Sequence, residues 1–124
     1  EDLMLIGNKI PVAKENILMK KALQIISRKK LGVLVVKNNK GFTTGIVTDG
    51  DVKRASEKID NLKKILVKKI MKSNPISIEK NMLAAQALSI MNTKKITSLL
   101  VHQKNKKKTI GIIHIHNILN ANIQ

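Results

Sequence analysis

This chain has no cysteine, a single Phe among the large aromatics, no long apolar run and only eight acidic side chains in 124 residues. The missing cysteines exclude disulfide staples and thiolate metal sites, and they permit an intracellular setting. Without an uninterrupted apolar segment of about 18 residues, no membrane-spanning helix is expected. With Phe42 as its sole large aromatic residue, the chain lacks the stacking platforms that single-stranded nucleic acids use. The N-terminus, Glu1-Asp-Leu-Met4, has neither the basic nor the apolar region of a signal peptide. A cytoplasmic protein without a membrane partner is the expectation.

Lysine, by contrast, is abundant. Arginine occurs only as Arg28 and Arg54, so 22 of the 24 basic residues are lysine; the formal charge is +16 and no acid follows Glu79. Such an excess raises the question of a nucleic-acid partner. The basic residues are scattered along the chain, however, and read as a compositional bias, so no nucleic-acid role is expected. A chain of this length supports one compact domain or two small ones sharing a core, and either half alone would be marginal.

The sequence also repeats itself. Asp2-Leu-Met4 returns as Lys69-Ile-Met71, Ile10-Pro-Val12 as Ile76-Ser-Ile78, and Ala22-Leu23 as Ala87-Leu88. Lys29-Lys-Leu31 returns as Lys94-Lys-Ile96, Leu34-Val-Val36 as Leu99-Leu-Val101, and Gly45-Ile-Val47 as Gly111-Ile-Ile113. The offset stays near 65 residues and drifts only in the loops, the behaviour of a duplicated supersecondary unit. Two copies divide the chain at residues 1–62 and 63–124.

Each copy reads strand, helix, strand, strand, helix. In the first, a short extended segment at Ile10 to Val12 precedes an amphipathic helix over Ile17 to Lys30, with Leu18, Ala22, Leu23, Ile25 and Ile26 on its apolar side. The aliphatic run Leu31 to Val36, the turn Lys37-Asn-Asn-Lys-Gly41 and the strand Thr43 to Thr48 form a hairpin. Asp49 to Glu57 is a helix with acids in its first turn, where the dipole favours them. The second copy follows the same order at Ile76–Ile78, Met82–Thr93, Ser98–His102, Thr109–His114 and Ile115–Asn122. Asp60 to Lys72 predicts a linker helix packed by one face. Leu23, Ile26, Val35, Ile46, Leu88, Met91, Leu100 and Ile112 are the expected core.

Chemistry concentrates where the last strand of a copy turns into its helix. In Gly45-Ile-Val-Thr48-Asp-Gly-Asp51, Gly45 permits close backbone approach, and Thr48 sets a hydroxyl beside the free amides of a helix start, which suit a phosphate. Asp51 is an acceptor-only carboxylate able to take hydrogen bonds from vicinal ribose hydroxyls. The same residues also read as ordinary helix caps. Lys53 and Arg54 fit a solvated face, although Arg54 could reach a phosphate bidentately.

A tandem strand-helix-strand-strand-helix repeat, closing each time on Gly-apolar-apolar-x-x-x-Asp or Asn, resembles the paired CBS domain over essentially the whole chain. The wording Gly45-Ile-Val-Thr-Asp-Gly-Asp-Val-Lys-Arg54, Ile96-Thr-Ser-Leu-Leu100 and Gly111-Ile-Ile-His-Ile-His-Asn-Ile-Leu119 is similar to the C-terminal regulatory pair of the arabinose 5-phosphate isomerase family. The resemblance implies an α/β fold in which two β-α-β-β-α repeats pack about a pseudo-two-fold axis. It implies a nucleotide or sugar-nucleotide ligand in the cleft between repeats, either an adenine nucleotide such as AMP or the pathway product CMP-Kdo. No other cofactor is implied. It further implies a homodimer through the CBS pairs, a tetramer for a complete isomerase, and catalysis in a separate sugar-isomerase domain, leaving this chain non-catalytic.

Carried onto this sequence, the resemblance puts Thr48 near phosphate and Asp51 on ribose, with Asp49, Arg54, Ile10 and Val12 completing the first half of the site. Ile76, Ile78, His114, His116 and Asn117 form its counterpart. The second copy departs from the first: His114 stands where Thr48 does and Asn117 where Asp51 does. A bulkier, titratable ring near a phosphate position suits a different anion, such as a sugar acid. Metal binding by His102, His114 and His116 is a competing reading, but no cysteine and few carboxylates are available to complete a tetrahedral set. No paired carboxylates or nucleophile motif suggest a catalytic centre.

Overall fold

The computed structural model describes residues 4–6, 10–29, 32–82, 84–103 and 107–115. In chain order the elements are β1 (Met4–Ile6), β2 (Val12–Lys14), α1 (Met19–Lys29), β3 (Val33–Lys37), β4 (Thr43–Thr48), α2 (Asp49–Lys58), β5 (Lys72–Ser73), β6 (Ser77–Glu79), α3 (Ala84–Lys94), β7 (Ser98–His102) and β8 (Gly111–His114). They form two compact units, one of residues 10–75 and one joining residues 1–9 to residues 76–124.

In the unit of residues 10–75 the sheet order is β2-β3-β4-β5. The first four residues of β3 are all buried, because the strand lies between parallel β2 and antiparallel β4 and presents both faces to other atoms. That position explains the unbroken aliphatic run, since alternation is needed only where one face is wet. The hairpin turn is made by Asn38. Its side-chain oxygen accepts from the amides of Lys40 and Phe42 at 2.9 and 3.0 Å, while Gly41 adopts φ of +81°, a conformation glycine reaches without Cβ strain.

Helix α1 buries Met19, Ala22 and Ile26 and half-buries Leu23, the i, i+3, i+4, i+7 spacing of a one-sided helix. Leu18 departs from expectation. It lies ahead of the helix, is 45% exposed and bridges Leu66, so Met19 takes the first inward position. Leu34, Val36 and Val47 meet this helix face in one core with Leu62 and Val67.

The linker helix expected over Asp60 to Lys72 is absent from this segment. Instead there are two 3-10 turns, Leu62–Lys64 and Val67–Lys69, followed by β5. Its backbone is drawn into tertiary bonds: the Met19 amide donates to the Ile65 carbonyl, Val67 to Ile17 and Lys68 to Glu15, at 2.8 to 2.9 Å. Backbone groups held this way are unavailable for a continuous i to i−4 ladder, while Leu62 and Val67 still bury as the apolar pattern required.

The other unit has the order β1-β8-β7-β6. Helix α3 buries Ala87 and Met91 and packs Ala84 and Leu88 beside them, over Ile78, Leu99 and Val101. The packing units therefore divide the chain differently from the repeats at 1–62 and 63–124. The cause is strand exchange: β1, at the start of the first repeat, pairs with β8 of the second, whereas β5, near the start of the second, pairs with β4 of the first.

Of the expected core, Ile26, Val35, Met91, Leu100 and Ile112 are buried, and Leu23, Ile46 and Leu88 are half-buried. Leu31 and the helix expected over 115–122 lie wholly or mostly outside the described residues. No described helix is long and apolar enough to cross a membrane.

Candidate functional site

The junction of β4 and α2 is built from Thr48, Asp51 and Arg54, spaced three residues apart, and from Lys72 of a neighbouring strand. Thr48 is the N-cap of α2, with extended backbone, and its hydroxyl accepts from the Asp51 amide at 3.2 Å. Asp51 returns the contact: its Oδ2 accepts from the Thr48 amide and the Thr48 hydroxyl, both at 2.9 Å. This reciprocal box satisfies donors that a helix start leaves open. The cap reading of the sequence is thus realised in atoms, on the same two residues proposed for a ligand.

The other oxygen of Asp51 has different partners. Oδ1 accepts from Arg54 Nη2 at 2.8 Å and lies 3.4 Å from Lys72 Nζ. Asp51 itself is 7% exposed, whereas the Arg54 and Lys72 side chains are 60% and 61% exposed. Burial would raise the Asp51 pKa, but the Thr48 amide, the Arg54 guanidinium, the Thr48 hydroxyl and the Lys72 charge together outweigh it and hold the carboxyl below its ordinary range. An ionised, oriented acceptor therefore stands at the helix start.

Lys72 was not among the residues singled out by sequence. It reaches the site because β5 pairs with β4, Ile46 opposite Lys72 and Gly45 opposite Ser73. Gly45 makes that approach possible: a Cβ there would stand 2.7 Å from the Lys72 carbonyl oxygen and from Met71 Sδ. The only signal in the sequence was Gly45 itself, which marks a close approach without naming the partner.

The remaining candidates of this unit sit as follows. Ile10 is 9% exposed and Val12 36%, the latter opposite Val35 in the sheet. Asp49 is exposed at the first position of α2; its amide donates to the Gly32 carbonyl at 3.0 Å. Its carboxylate closes on Gly32, where a Cβ would meet Oδ2 at 2.9 Å, and a depression of about 380 Å³ lies beside this pair, lined also by Leu23, Ile26 and Ser27.

In the other unit, Ile76 is half-buried and Ile78 is 4% exposed. His114 ends β8 opposite Ser98. His116 and Asn117 lie outside the described residues. His102 faces a different neighbour from those expected, a hydrogen bond linking its Nδ1 and the Ser77 hydroxyl at 2.6 Å, and it is 3% exposed. That pair, between the parallel strands β6 and β7, carried no sequence signal because Ser77 and His102 are 25 residues apart.

The sequence matches the CBS domain over residues 2–58 and again over residues 67–123. The chain belongs to the CBS domain family. This CBS pair is also similar to an arabinose 5-phosphate isomerase, KdsD, of Escherichia coli O6:H1, with 30% identity over 122 residues, 98% of this chain. It spans 37% of that relative's length. Two solved CBS structures have the same fold. CBSX2, described from Arabidopsis thaliana and solved in complex with AMP, has a TM-score of 0.84 at 24% identity, covering 99% of this chain and 94% of its own. The CBS pair of MJ0100, solved with 5-methylthioadenosine and S-adenosyl-L-methionine, has a TM-score of 0.84 at 20% identity, covering 99% and 95%.

Proposed function

We propose that this CBS pair is the regulatory, ligand-sensing module of an arabinose 5-phosphate isomerase of Kdo and lipopolysaccharide precursor synthesis. Its ligand is an adenine nucleotide such as AMP or a sugar nucleotide such as CMP-Kdo. The observation that carries this reading is Asp51: a buried, ionised carboxylate with one oxygen committed to the helix cap and the other facing two exposed cations. A ribose diol can take Oδ1 and a phosphate can take the cations. The similarity to KdsD over nearly the whole chain supports the parent enzyme, and the adenosyl ligands of CBSX2 and MJ0100 support the ligand class.

In the first half of the site Thr48, Asp49, Asp51 and Arg54 carry polar contacts and Ile10 and Val12 the apolar ones. Ile76, Ile78, His114, His116 and Asn117 are their counterparts in the second. The module is cytoplasmic, pairs as a homodimer and serves a tetrameric parent. Sensing follows from linkage: a ligand that prefers one arrangement of the repeats shifts the parent's equilibrium by its differential affinity and no more.

One observation favours a second reading. Thr48 and Asp51 bond to each other as the cap of α2, a structural duty sufficient for a module that only assembles isomerase subunits. The complete isomerase separates the two. For a sensor, AMP or CMP-Kdo changes its activity saturably, and deleting the CBS pair abolishes that response. For a scaffold, neither ligand alters activity, and deletion instead breaks the oligomer.

A further inference from the structure

Helices α1 and α2 begin in opposite ways. The start of α2 carries Thr48 as its cap and Asp49 and Asp51 in its first turn. Leu18 stands immediately before α1, its carbonyl accepting from the Lys21 and Ala22 amides, and the first turn holds Lys20 and Lys21 and no acid. A leucine at the cap position accepts no hydrogen bond through its side chain, and cations at the positive end of a helix oppose its dipole. Leu18, Lys20 and Lys21 each break a local rule of helix starts, and they do so at one place, as residues held for function do.

Leu18 does not join the core. Met19 and Val67 are fully buried and Ile17 packs against them, whereas Leu18, 45% exposed, bridges half-buried Leu66 in the segment between α2 and β5. Three backbone bonds of 2.8 to 2.9 Å fix this segment on the start of α1, from the Met19 amide to Ile65, from Val67 to Ile17 and from Lys68 to Glu15. Around the leucine pair the fold gathers lysines that lie apart in the sequence. Leu18, Lys20, Lys21 and Gln24 line a depression of about 290 Å³, and exposed Lys64 and Lys68 flank Leu66 two residues to either side. Among the described residues none of these four lysines forms an ion pair.

We infer that this face docks an acidic protein segment that presents one aliphatic side chain among Asp and Glu. The aliphatic side chain enters the depression against Leu18, and the carboxylates pair with Lys20, Lys21, Lys64 and Lys68. Charge complementarity and the recess together decide the occupant. A second copy of this chain, with eight acids against 24 basic residues, is a poor source of the carboxylates that four lysines need. A nucleic acid has no aliphatic group for the depression. An anionic bilayer is gripped by apolar side chains that protrude into it, and a recess between lysines inserts nothing. The face shares no residue with the junction of β4 and α2, so the docking stands whether or not that junction binds a nucleotide.

Two labelled synthetic peptides of Asp and Glu, one with a central Leu and one with a central Ala, test this by fluorescence anisotropy at about 0.15 M ionic strength, where long-range attraction by the other lysines is damped. They are titrated with the wild-type chain, with Leu18→Ser and with the double variant Lys20→Gln, Lys21→Gln. The expected result is saturable binding of the Leu peptide, weakened about tenfold or more by its Ala counterpart and by Leu18→Ser. Each lysine removed weakens it about two- to fivefold. Leu18→Ser also raises the thermal midpoint, because serine caps the helix start that leucine leaves open, and this separates loss of docking from loss of fold. No saturable binding, or equal affinity for the two peptides, overturns the inference. So does a lowered midpoint for Leu18→Ser, which makes Leu18 a packing residue. Leu18-dependent binding of phosphatidylglycerol vesicles or of a thymidine oligonucleotide, or Leu18-dependent self-association in sedimentation, gives the face to another occupant and overturns it equally.

Discussion

Asp51 and Thr48 hold each other through three hydrogen bonds, two accepted by the Asp51 carboxylate and one by the Thr48 hydroxyl, all between 2.9 and 3.2 Å. The pair fixes the direction in which β4 hands the chain to α2. It also leaves the second carboxylate oxygen aimed at Arg54 and Lys72. Cap and candidate ligand contact are thus one device, and the experiments below separate the two duties.

Removing either partner weakens the helix start. Thr48→Ala and Asp51→Ala are each expected to lower unfolding free energy by roughly 1–2 kcal/mol, the usual cost of a lost side-chain cap. The double variant should lose clearly less than the sum, because each single change already breaks the shared bonds. Urea unfolding of the four proteins measures this. Full additivity would show that the two side chains act independently.

Stability should depend on acid through Asp51. Its folded pKa lies below the unfolded value, so its contribution is complete above the unfolded carboxyl pKa of about 3.9 and disappears as pH falls through the folded value. Urea midpoints taken from pH 6 down to pH 3 should fall more steeply for the wild type than for Asp51→Asn. Parallel curves would contradict the depressed pKa.

Gly45→Ala tests the approach of β5. The added methyl group meets the Lys72 carbonyl and Met71 Sδ at 2.7 Å, so β5 must move away from β4. A loss of about 1–3 kcal/mol is expected, as for other forced overpacking. Amide exchange in Ile46 and Lys72, opposite each other in the β4–β5 pairing, should quicken. Unchanged stability would mean that β5 is not held where the pairing places it.

Leu99→Ala addresses the core of the second unit. Leu99 is fully buried in β7 against α3, and truncation should cost about 2–5 kcal/mol in unfolding free energy. A loss within about 0.5 kcal/mol, the range of ordinary surface substitutions, would contradict that packing.

What the sequence revealed and what it hid follow from the range of the interactions. Local signals worked. The apolar spacing of Ala22, Leu23 and Ile26 located α1, Asn38 to Gly41 located the hairpin turn, and Ser98–His102 was delimited to the residue. The cap at Thr48 and Asp51 was legible because four consecutive residues contain it. Strands β1 and β5 were not, since pieces of three and two residues have no periodicity and exist only through distant partners, β8 and β4. The linker failed for the same reason: Ile65 and Val67 spend their backbone groups on Met19 and Ile17. Lys72 and the Ser77–His102 bond are products of that long-range pairing, and so the part of the site most tied to topology was the part composition could not name.

The most direct test of the sensor account is titration of the CBS pair with CMP-Kdo, AMP, ATP and CMP by calorimetry at about 0.15 M ionic strength, where exposed charges are substantially screened. The account predicts saturable, stoichiometric binding of at least one of them, lost in Asp51→Asn while that variant remains folded. No binding of any of the four, or binding that survives Asp51→Asn unchanged, would contradict it.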